Sequence, residues 1–468
     1  MSGARIANGA GGGNPFRFCV VNLGCKVNRV EADGFERLLT QNGGVPMGEA
    51  QADLIVVNTC TVTGEAEKKT RKAVRHALAV NDFAQVVVTG CASEIDATVF
   101  SQMGVRVTVV PKVEISQYLD EWCTRRCADA QKERAELAKA ACSGGDMGFL
   151  EVRPNGGEGA NRRPRSDTSP DPLAANDESA LAAFPRPADG RTRIGVKVQD
   201  GCDNACTYCI VHVARGRATS RPVDEVVAEA VTLAYAGVRE IVLTGINLGS
   251  YDDNGTDLAD LCRHLLDATA GLRGPDEPAC RFRIGSIEPL DVSMDFIGLL
   301  ADAEGRLCRH LHLPLQSGSS KVLREMARPY DAEEYRQLVD YLRAMVPEIA
   351  LTTDIIVGFP GETEEDFEDT CILARRCGFS KIHVFPYSRR EGTPAAERAD
   401  QVAPEVRAAR AAALRALSDE LAAADRARRI GTTELALAET PETATTESYH
   451  EVPAPAGAPA GSLVAVVL

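Results

Sequence analysis

A short cysteine-rich loop is the feature that most restricts how this chain folds. Cys202, Cys206 and Cys209 lie within eight residues of one another, directly after an apolar run that predicts a buried β-strand. That strand begins a series of six predicted strand–helix units, which is typical of a parallel barrel or partial barrel. The predicted strands are residues 193–199, 240–246, 281–287, 310–316, 350–358 and 381–387. The loop is therefore expected at the C-terminal mouth of the barrel, where such folds keep their chemistry.

The CxxxCxxC spacing of these cysteines favours a metal centre. Thiolates are the ligands of iron–sulfur clusters, and three of them leave a fourth iron of a cubic cluster free to bind a small molecule through amino and carboxylate groups. A zinc site with His212 as the fourth ligand is one alternative. Three cysteines that bind nothing are another.

A second set of cysteines lies in the N-terminal region, which we predict to be an α/β domain over residues 16–125. Cys25, Cys60 and Cys91 each follow an apolar run that predicts a buried parallel strand. The predicted strands are Phe18–Leu23, Asp53–Asn58 and Gln85–Thr89, and the helices between them include Glu31–Gln41 and Glu65–Val80. Since the carboxyl ends of parallel strands meet at one edge of a sheet, we expect these thiols to form a second three-thiolate cluster there. The alternative is that they are small buried apolar residues.

The rest of the chain divides by composition. Residues 143–190 are rich in Gly, Pro, Asp, Arg and Ser, which predicts a disordered linker or insertion. The barrel domain is expected over residues 191–430 and ends in a helix over 404–429. Residues 431–468 contain no Lys or Arg and predict a short β-rich tail. The predicted strands of this tail are Thr433–Ala438 and Ser462–Leu468. The fold class is therefore α/β: an N-terminal open parallel α/β domain, a central partial six-stranded barrel and a short C-terminal β unit.

Length, charge and cysteine content narrow the class of protein. A chain of 468 residues is too long for one ordinary core and predicts two or three domains. The net charge of −15 argues against general nucleic-acid binding, so an RNA substrate would need a local basic face. Neither a secretory signal nor an apolar run long enough for a membrane span is visible. We therefore expect a cytoplasmic protein whose 15 cysteines are thiols or metal ligands rather than disulfides.

Several sequence motifs follow one another along the chain. In the N-terminal region the motifs are Gly24–Asn28 (GCKVN), Val57–Thr63 (VNTCTVT) and Val88–Cys91 (VTGC). In the barrel region they are the cysteine loop, Glu240–Tyr251 (EIVLTGINLGSY), Ile284–Pro289 (IGSIEP), His310–Ser319 (HLHLPLQSGS), Asp354–Thr363 (DIIVGFPGET) and His383–Ser388 (HVFPYS). Together these motifs resemble one enzyme family, the radical S-adenosylmethionine (SAM) methylthiotransferases. The GCKVN form is similar to the bacterial branch that acts on threonylcarbamoyladenosine in tRNA. Enzymes for isopentenyladenosine in tRNA typically carry Gln-Met after this cysteine, and those for a small-subunit ribosomal protein carry Pro-Lys; these remain the alternative substrates.

The resemblance implies two 4Fe–4S clusters and SAM as cofactors. Cys202, Cys206 and Cys209 would hold the radical-generating cluster, and Cys25, Cys60 and Cys91 would hold an auxiliary cluster that carries the sulfur to be donated. One SAM would methylate that sulfur, and a second would give the radical that removes hydrogen from adenine C2, next to the anticodon. The expected partners are tRNA and an electron donor such as flavodoxin or ferredoxin. Related enzymes end in a small β domain called TRAM, of which residues 431–468 resemble a shortened version.

Further candidate residues follow from position and charge. We predict SAM contacts at the strand ends, with a plain loop or an internal salt bridge as the alternative; these candidates are Gly245, Ser286, Glu288 and Gln316. We interpret the histidines of the barrel strands as core or rim residues, and Asp354 as either a buried structural carboxylate or a ligand. Candidate RNA-binding cations, for which a solvated face is the alternative, are Lys68, Lys69, Arg71, Lys72, Arg75, Arg215, Arg217, Arg389 and Arg390.

Overall fold

A computed structural model describes residues 16–61, 64–143, 190–272 and 279–468. The strands are β1 Arg17–Asn22, β2 Val45–Pro46, β3 Leu54–Thr59, β4 Gln85–Gly90, β5 Val107–Val109, β6 Arg193–Lys197, β7 Gln199–Asp200, β8 Thr219–Ser220, β9 Glu240–Thr244, β10 Arg281–Ile284, β11 His310–His312, β12 Ala350–Val357, β13 Lys381–Pro386, β14 Thr433–Ala438, β15 Thr443–Thr446, β16 Glu451–Pro453 and β17 Leu463–Val467. The helices are α1 Lys26–Gln41, α2 Gly64–Val80, α3 Cys91–Ile95, α4 Ala97–Ser101, α5 Ile115–Ser143, α6 Val211–Arg215, α7 Val223–Tyr235, α8 Leu258–Thr269, α9 Met294–Asp302, α10 Ser320–Glu325, α11 Ala332–Met345, α12 Glu364–Cys377, α13 Pro394–Glu397 and α14 Pro404–Arg429.

The N-terminal unit is a five-stranded parallel sheet of order β2-β1-β3-β4-β5. Every residue of β3 is buried, as expected for a parallel strand covered on both faces. The three predicted strands and the two predicted helices are confirmed, although α1 begins five residues before its predicted start. Helix α5 runs to Ser143, past the predicted domain end at 125. The linker predicted over 143–190 lies outside the described residues except at its two ends.

The central unit confirms the six predicted strands as a partial barrel. Two three-stranded parallel sheets, of order β10-β9-β6 and β11-β12-β13, meet through an isolated bridge between Ser286 and His312. Strands end up to four residues earlier than predicted because the chain turns into the loops of the mouth. Helix α1 packs so closely on β6 that a Cβ at Gly195 would lie 2.4 Å from Val30 Cγ2.

Alternation along the barrel strands separates an apolar outer face from a polar inner face. Residues such as Ile241, Leu243 and Phe282 belong to the main apolar core beneath the helices. Their neighbours Arg281 and Arg283 point the other way, because successive side chains of a strand face opposite sides. The barrel interior is therefore polar and charged, which suits a ligand site better than a packed centre.

The barrel helices begin and end at recognisable capping residues. Thr363 and Asp366 form a capping box at the start of α12, and Asp331 with Glu334 forms another at the start of α11. Gly378 ends α12 in the left-handed region at φ 57°.

The C-terminal strands form an antiparallel sheet of order β16-β15-β14-β17, which includes two strands that the sequence did not predict. This sheet packs against the N-terminal end of the barrel strands through buried arginines. Arg281 donates to the carbonyls of Leu435 (2.7 Å) and Thr445 (3.0 Å). Beside it, the Tyr449 ring lies 5.0 Å from the His310 ring. The tail thus forms the floor of the barrel. Among the described residues, no helix is long and apolar enough to cross a membrane.

The fold predicts a strong dependence on Glu240, which is fully buried and accepts hydrogen bonds from Arg281 Nε and Arg283 Nε, each at 2.7 Å. Glu240→Ala would leave two buried guanidinium groups without their carboxylate and should lower the free energy of unfolding by about 3–5 kcal/mol. Urea denaturation followed by circular dichroism measures the change. Glu225→Ala, which removes an exposed carboxylate 3.8 Å from Arg221, is the matched control. Equal midpoints for the two variants would contradict this role of Glu240.

Candidate active site

The Cys202–Cys209 loop leaves β7 at the mouth of the barrel. Gly201 has φ 72°, and a Cβ there would lie 1.9 Å from the carbonyl oxygen of Arg217, so this turn requires glycine. Backbone amides point at two of the sulfurs: Asn204 N donates to Cys202 Sγ and Val211 N to Cys209 Sγ, both at 3.4 Å. The loop is thus already shaped to accept negative charge on its sulfurs.

Gln199 ties this loop to the end of β9. Its amide nitrogen donates to the carbonyl of Gly201 (2.8 Å), and its amide oxygen accepts from the backbone nitrogens of Ile246 and Asn247 (2.9 Å each). A Cβ at Gly245 would lie 2.9 Å from this Gln199 oxygen. Glycine at 245 therefore leaves room for the Gln199 side chain to make these hydrogen bonds. This is a structural role for Gly245, in addition to its predicted contact with SAM.

Arg328 is a buried cation against the same cysteines. Its Nη1 donates to Cys206 Sγ at 3.1 Å, and its Nη2 is ion-paired with Glu288. Tyr330 accepts from the same guanidinium at 3.1 Å. Glu288, predicted to contact SAM, is thus held in a salt bridge with Arg328, which in turn contacts Cys206; a salt bridge inside the barrel was the alternative prediction for this residue.

The second cysteine trio lies at the carboxyl edge of the N-terminal sheet. Cys25 is exposed at the start of α1, whereas Cys60 and Cys91 are buried at the ends of β3 and β4. Asn28, fully buried, joins their loops: its amide nitrogen donates to the carbonyl of Thr59 (2.8 Å), and its amide oxygen accepts from Cys25 Sγ (3.4 Å). The backbone thus brings one cysteine from each of three chain segments to one edge.

Arg215 connects the two trios. Its side chain is 1% exposed. Nε donates to Cys91 Sγ (3.1 Å) and Nη2 to Asn28 Oδ1 (2.8 Å), while Nη1 donates to Asp200 Oδ1 (2.7 Å), two residues before Cys202. One guanidinium therefore fixes the N-terminal cysteine edge against the cysteine loop of the barrel.

Charges around Arg215 balance each other. Lys112 and Lys197 both contact Glu31 Oε1, at 3.1 and 3.2 Å, and both reach Asp200. Burial alone raises the pKa of Asp200, but the charges of Arg215, Lys197 and Lys112 outweigh it and hold that pKa well below its usual range. Asp200 and Glu31 therefore stay ionised and keep this contact between the two units closed at neutral pH.

The donor sets fit iron–sulfur clusters better than single metal ions. A tetrahedral zinc site holds its thiolate sulfurs within about 4 Å of one another. Among the described residues, neither cysteine trio has all three sulfurs within 4.8 Å of each other, and His212 completes no such group. Burial raises the pKa of the Cys209 thiol to about 11 and also raises that of Cys91, against the effect of Arg215. A bound cluster would lower both pKa values, because it stabilises the thiolate form.

A cavity of about 170 Å³ lies beside the barrel loop, lined by Cys209, Gln316 and Asp354 among others. Gln316, a predicted SAM contact, has φ 68° and bridges to Ile355 at the strand end. Ser286, another predicted contact, lies half-buried at the same mouth. The structure thus brings these candidates to one side of the barrel.

Three residues of adjacent strands meet on the inner face of the barrel: His312, Asp354 and His383. Their nitrogen and carboxylate atoms lie within 4.8 Å of one another, with His312 Nε2 3.3 Å from Asp354 Oδ1. His312 Nδ1 also lies 2.9 Å from Thr352 Oγ1. These two histidines lie on barrel strands, and together with Asp354 their ligand atoms are close enough to hold a metal ion.

The candidate RNA-binding cations separate into two groups. Six are exposed: Lys68, Lys69, Lys72, Arg75, Arg217 and Arg389. The prediction that Arg215 and Arg390 face RNA is wrong, because both are buried. Arg215 holds the contact just described, and Arg390 donates to Thr61 Oγ1 (2.5 Å) and pairs with Glu67 (3.1 Å). Glu67 also pairs with the half-buried Arg71.

Comparison with known proteins identifies the family. Residues 196–374 match the family described as Radical SAM superfamily, and residues 17–110 match the one described as Uncharacterized protein family UPF0004. The chain is 36% identical over 406 residues to threonylcarbamoyladenosine tRNA methylthiotransferase MtaB of Bacillus subtilis (strain 168), covering 86% of this chain and 80% of that protein. It is 33% identical over 472 residues to tRNA-2-methylthio-N(6)-dimethylallyladenosine synthase of Desulfitobacterium hafniense (strain Y51), covering 97% and 95%. The chain belongs to the radical SAM methylthiotransferase family. SAM and a 4Fe–4S cluster are accordingly its cofactors.

Several residues of this methylthiotransferase site were missed by sequence reasoning. Gln199, Asn28 and Arg328 were given no role from the sequence, because each makes a contact with a residue 31 to 122 positions away. Arg215 was predicted to bind RNA because of its charge, but its side chain is buried between the two units. A buried cation differs from an exposed one only in its partners, and spacing does not show them.

The turn at Gly201 yields a direct test of the radical SAM loop. Gly201→Ala places a Cβ against the Arg217 carbonyl, so the loop must shift and its cysteines lose their arrangement. We expect the purified variant to bind less iron than the wild type and to lose SAM cleavage. Gly255→Ala, at φ 91° with open space around its Cβ position, is the matched control and should keep both. Wild-type iron content in Gly201→Ala would contradict the geometric requirement.

Proposed function

We propose that this protein is a tRNA methylthiotransferase that converts C2–H of threonylcarbamoyladenosine, at the position 3′ of the anticodon, into C2–SCH₃. The observation that carries the proposal is the pair of cysteine trios held against each other by Arg215, because sulfur insertion by this chemistry needs a radical source and a sulfur source at one cavity. The names of the MtaB relatives from Bacillus subtilis, Chlamydia pneumoniae and Thermotoga maritima, at 32–36% identity, support this substrate.

In this proposal the chain holds two 4Fe–4S clusters. Cys202, Cys206 and Cys209 hold the first, and the second is held by Cys25, Cys60 and Cys91. When bound, the clusters and SAM supply the reducing electron, the radical and the sulfur that an unactivated aromatic C–H bond requires. The residues of the chain bind, orient and shield these groups.

The surrounding side chains have separate tasks. Arg328 and the loop amides stabilise negative charge on the barrel sulfurs. Arg215, Glu31 and Asp200 fix the distance between the two trios, and a fixed geometry of reacting groups is the protein's main contribution to such steps. Gly245, Ser286 and Gln316 are proposed to contact SAM at the mouth.

The remaining partners follow from charge and reaction type. The exposed lysines and arginines of α2, together with Arg217 and Arg389, are proposed to contact the phosphates of tRNA. The tail has no Lys or Arg and contributes no such cations. A one-electron donor such as flavodoxin or ferredoxin is proposed to deliver electrons, and the cytoplasm is the expected location.

The proposed cluster number is tested by counting iron in protein reconstituted without oxygen. We expect about eight irons per wild-type chain and about four when either trio is replaced by alanine. The variant lacking Cys25, Cys60 and Cys91 should still cleave SAM, whereas the variant lacking Cys202, Cys206 and Cys209 should not. Cys371→Ala, a half-buried cysteine of α12, is the control and should keep about eight irons. A wild-type count of about four would refute the second cluster.

The substrate is tested by nucleoside mass spectrometry of tRNA from a bacterial host that makes threonylcarbamoyladenosine but does not methylthiolate it. Expression of this protein should produce 2-methylthio-threonylcarbamoyladenosine, and expression of a Cys25→Ala variant should not. If the methylthio group appears on isopentenyladenosine instead, the protein belongs with relatives such as the Desulfitobacterium hafniense enzyme. If tRNA stays unchanged while a ribosomal protein gains the mass of the group, the tRNA assignment is wrong.

A further inference from the structure

A cavity of about 420 Å³ lies between α1 and the inner face of β6, β9 and β10. Its walls include Thr244, which precedes Gly245 at the mouth of the barrel, and Tyr449, which lies at the floor. Lys26, the residue directly after Cys25, reaches into the same space from α1. The cavity is therefore bounded by the first turns of α1, directly after Cys25, and extends along the inner face of the barrel strands.

The cavity is lined by five cationic side chains, of which three are neutralised. Their carboxylate partners are Asp33 for Arg191 (2.7 Å), Glu439 for Arg193 (2.6 Å) and Glu240 for Arg283 (2.7 Å).

The other two cations of the cavity, Lys26 and Arg29, are not neutralised by a carboxylate of the described residues. Neither has a carboxylate partner within the described parts of the chain, and the recorded contact of Lys26 Nζ is with the Tyr449 ring, 5.5 Å from its centroid. They stand three residues apart on one face of α1. Two cations that share a cavity without a counter-charge are suited to an anionic ligand.

We propose that Lys26 and Arg29 bind the carboxylate of the threonylcarbamoyl group and so select the substrate; this inference rests on the proposed function. The threonyl carboxylate is ionised at neutral pH, whereas an isopentenyl group carries no charge. Arginine and lysine side by side offer one carboxylate both a planar fork of donors and a point charge.

The placement agrees with the shape of the substrate. The reacting C2 of adenine must lie near the Cys25, Cys60 and Cys91 edge. The N6 group projects from the same half of the purine, whereas ribose and phosphates leave through N9 on the opposite side. Lys26 is exposed, follows Cys25 and lines the cavity, so it is placed to meet the N6 substituent.

Binding of anticodon stem-loop RNA to the reconstituted protein tests the inference. Two RNAs are compared, one carrying threonylcarbamoyladenosine and one carrying unmodified adenosine at the same position. Lys26→Gln and Arg29→Gln should each weaken binding of the modified RNA about tenfold or more, as expected for loss of a charge-assisted hydrogen bond, and leave binding of the unmodified RNA unchanged. Lys26→Arg should restore most of the affinity. Lys132→Gln, the same charge change on the exposed side of α5, is the matched control.

The outcomes separate this inference from the proposed function. Equal weakening of both RNAs would show a phosphate contact, and no weakening of either would show no anion contact; each result overturns the inference while the wild type still methylthiolates threonylcarbamoyladenosine. Absence of that methylthiolation in the wild type overturns the proposed function itself. Iron content measured for each variant excludes loss of the neighbouring cluster as the cause of weaker binding.

Discussion

The contact made by Arg215 is the interaction on which the rest of the site depends. A single buried guanidinium satisfies a sulfur of the N-terminal unit, an amide oxygen of α1 and a carboxylate of the barrel loop. A buried cation is stable only when such partners are all present, so the Arg215 guanidinium is fully satisfied only when the two units are assembled. The spacing between the cysteine trios is thereby set by an ion-pair network rather than by a continuous piece of backbone.

The polar inner face of the barrel also depends on the pairing of buried charges. Strands that carry Glu240, Arg281 and Arg283 inward cannot pack as an apolar centre, and the charges are stable because each has a partner from a neighbouring strand or from the tail. A barrel built in this way keeps space inside it. Lys26 and Arg29 of α1, which have no carboxylate partner among the described residues, line this space.

Most of the architecture could be predicted from sequence because buried parallel strands have a strong signal. The runs that became β1, β3 and β4 are apolar and end at a cysteine, and the parallel arrangement brings those ends together. Short strands such as β7 and β8 were missed because two residues show no periodicity. The partner of Glu288 lies 40 positions away at Arg328, and the burial of Arg215 depends on residues of another unit. No local pattern encodes such contacts, so the strand ends were predictable while the side-chain partners were not.

The floor of the barrel is supplied by the last segment of the chain. Tyr449 and the carbonyls of the C-terminal sheet reach residues whose strands are made much earlier in synthesis. During synthesis, the barrel strands β6 and β9 to β13 are therefore made before the sheet that covers their N-terminal ends. Its charged interior stays in contact with water at this end until β14 to β17 have docked, so the barrel is closed only when the sheet of residues 433–467 is in place.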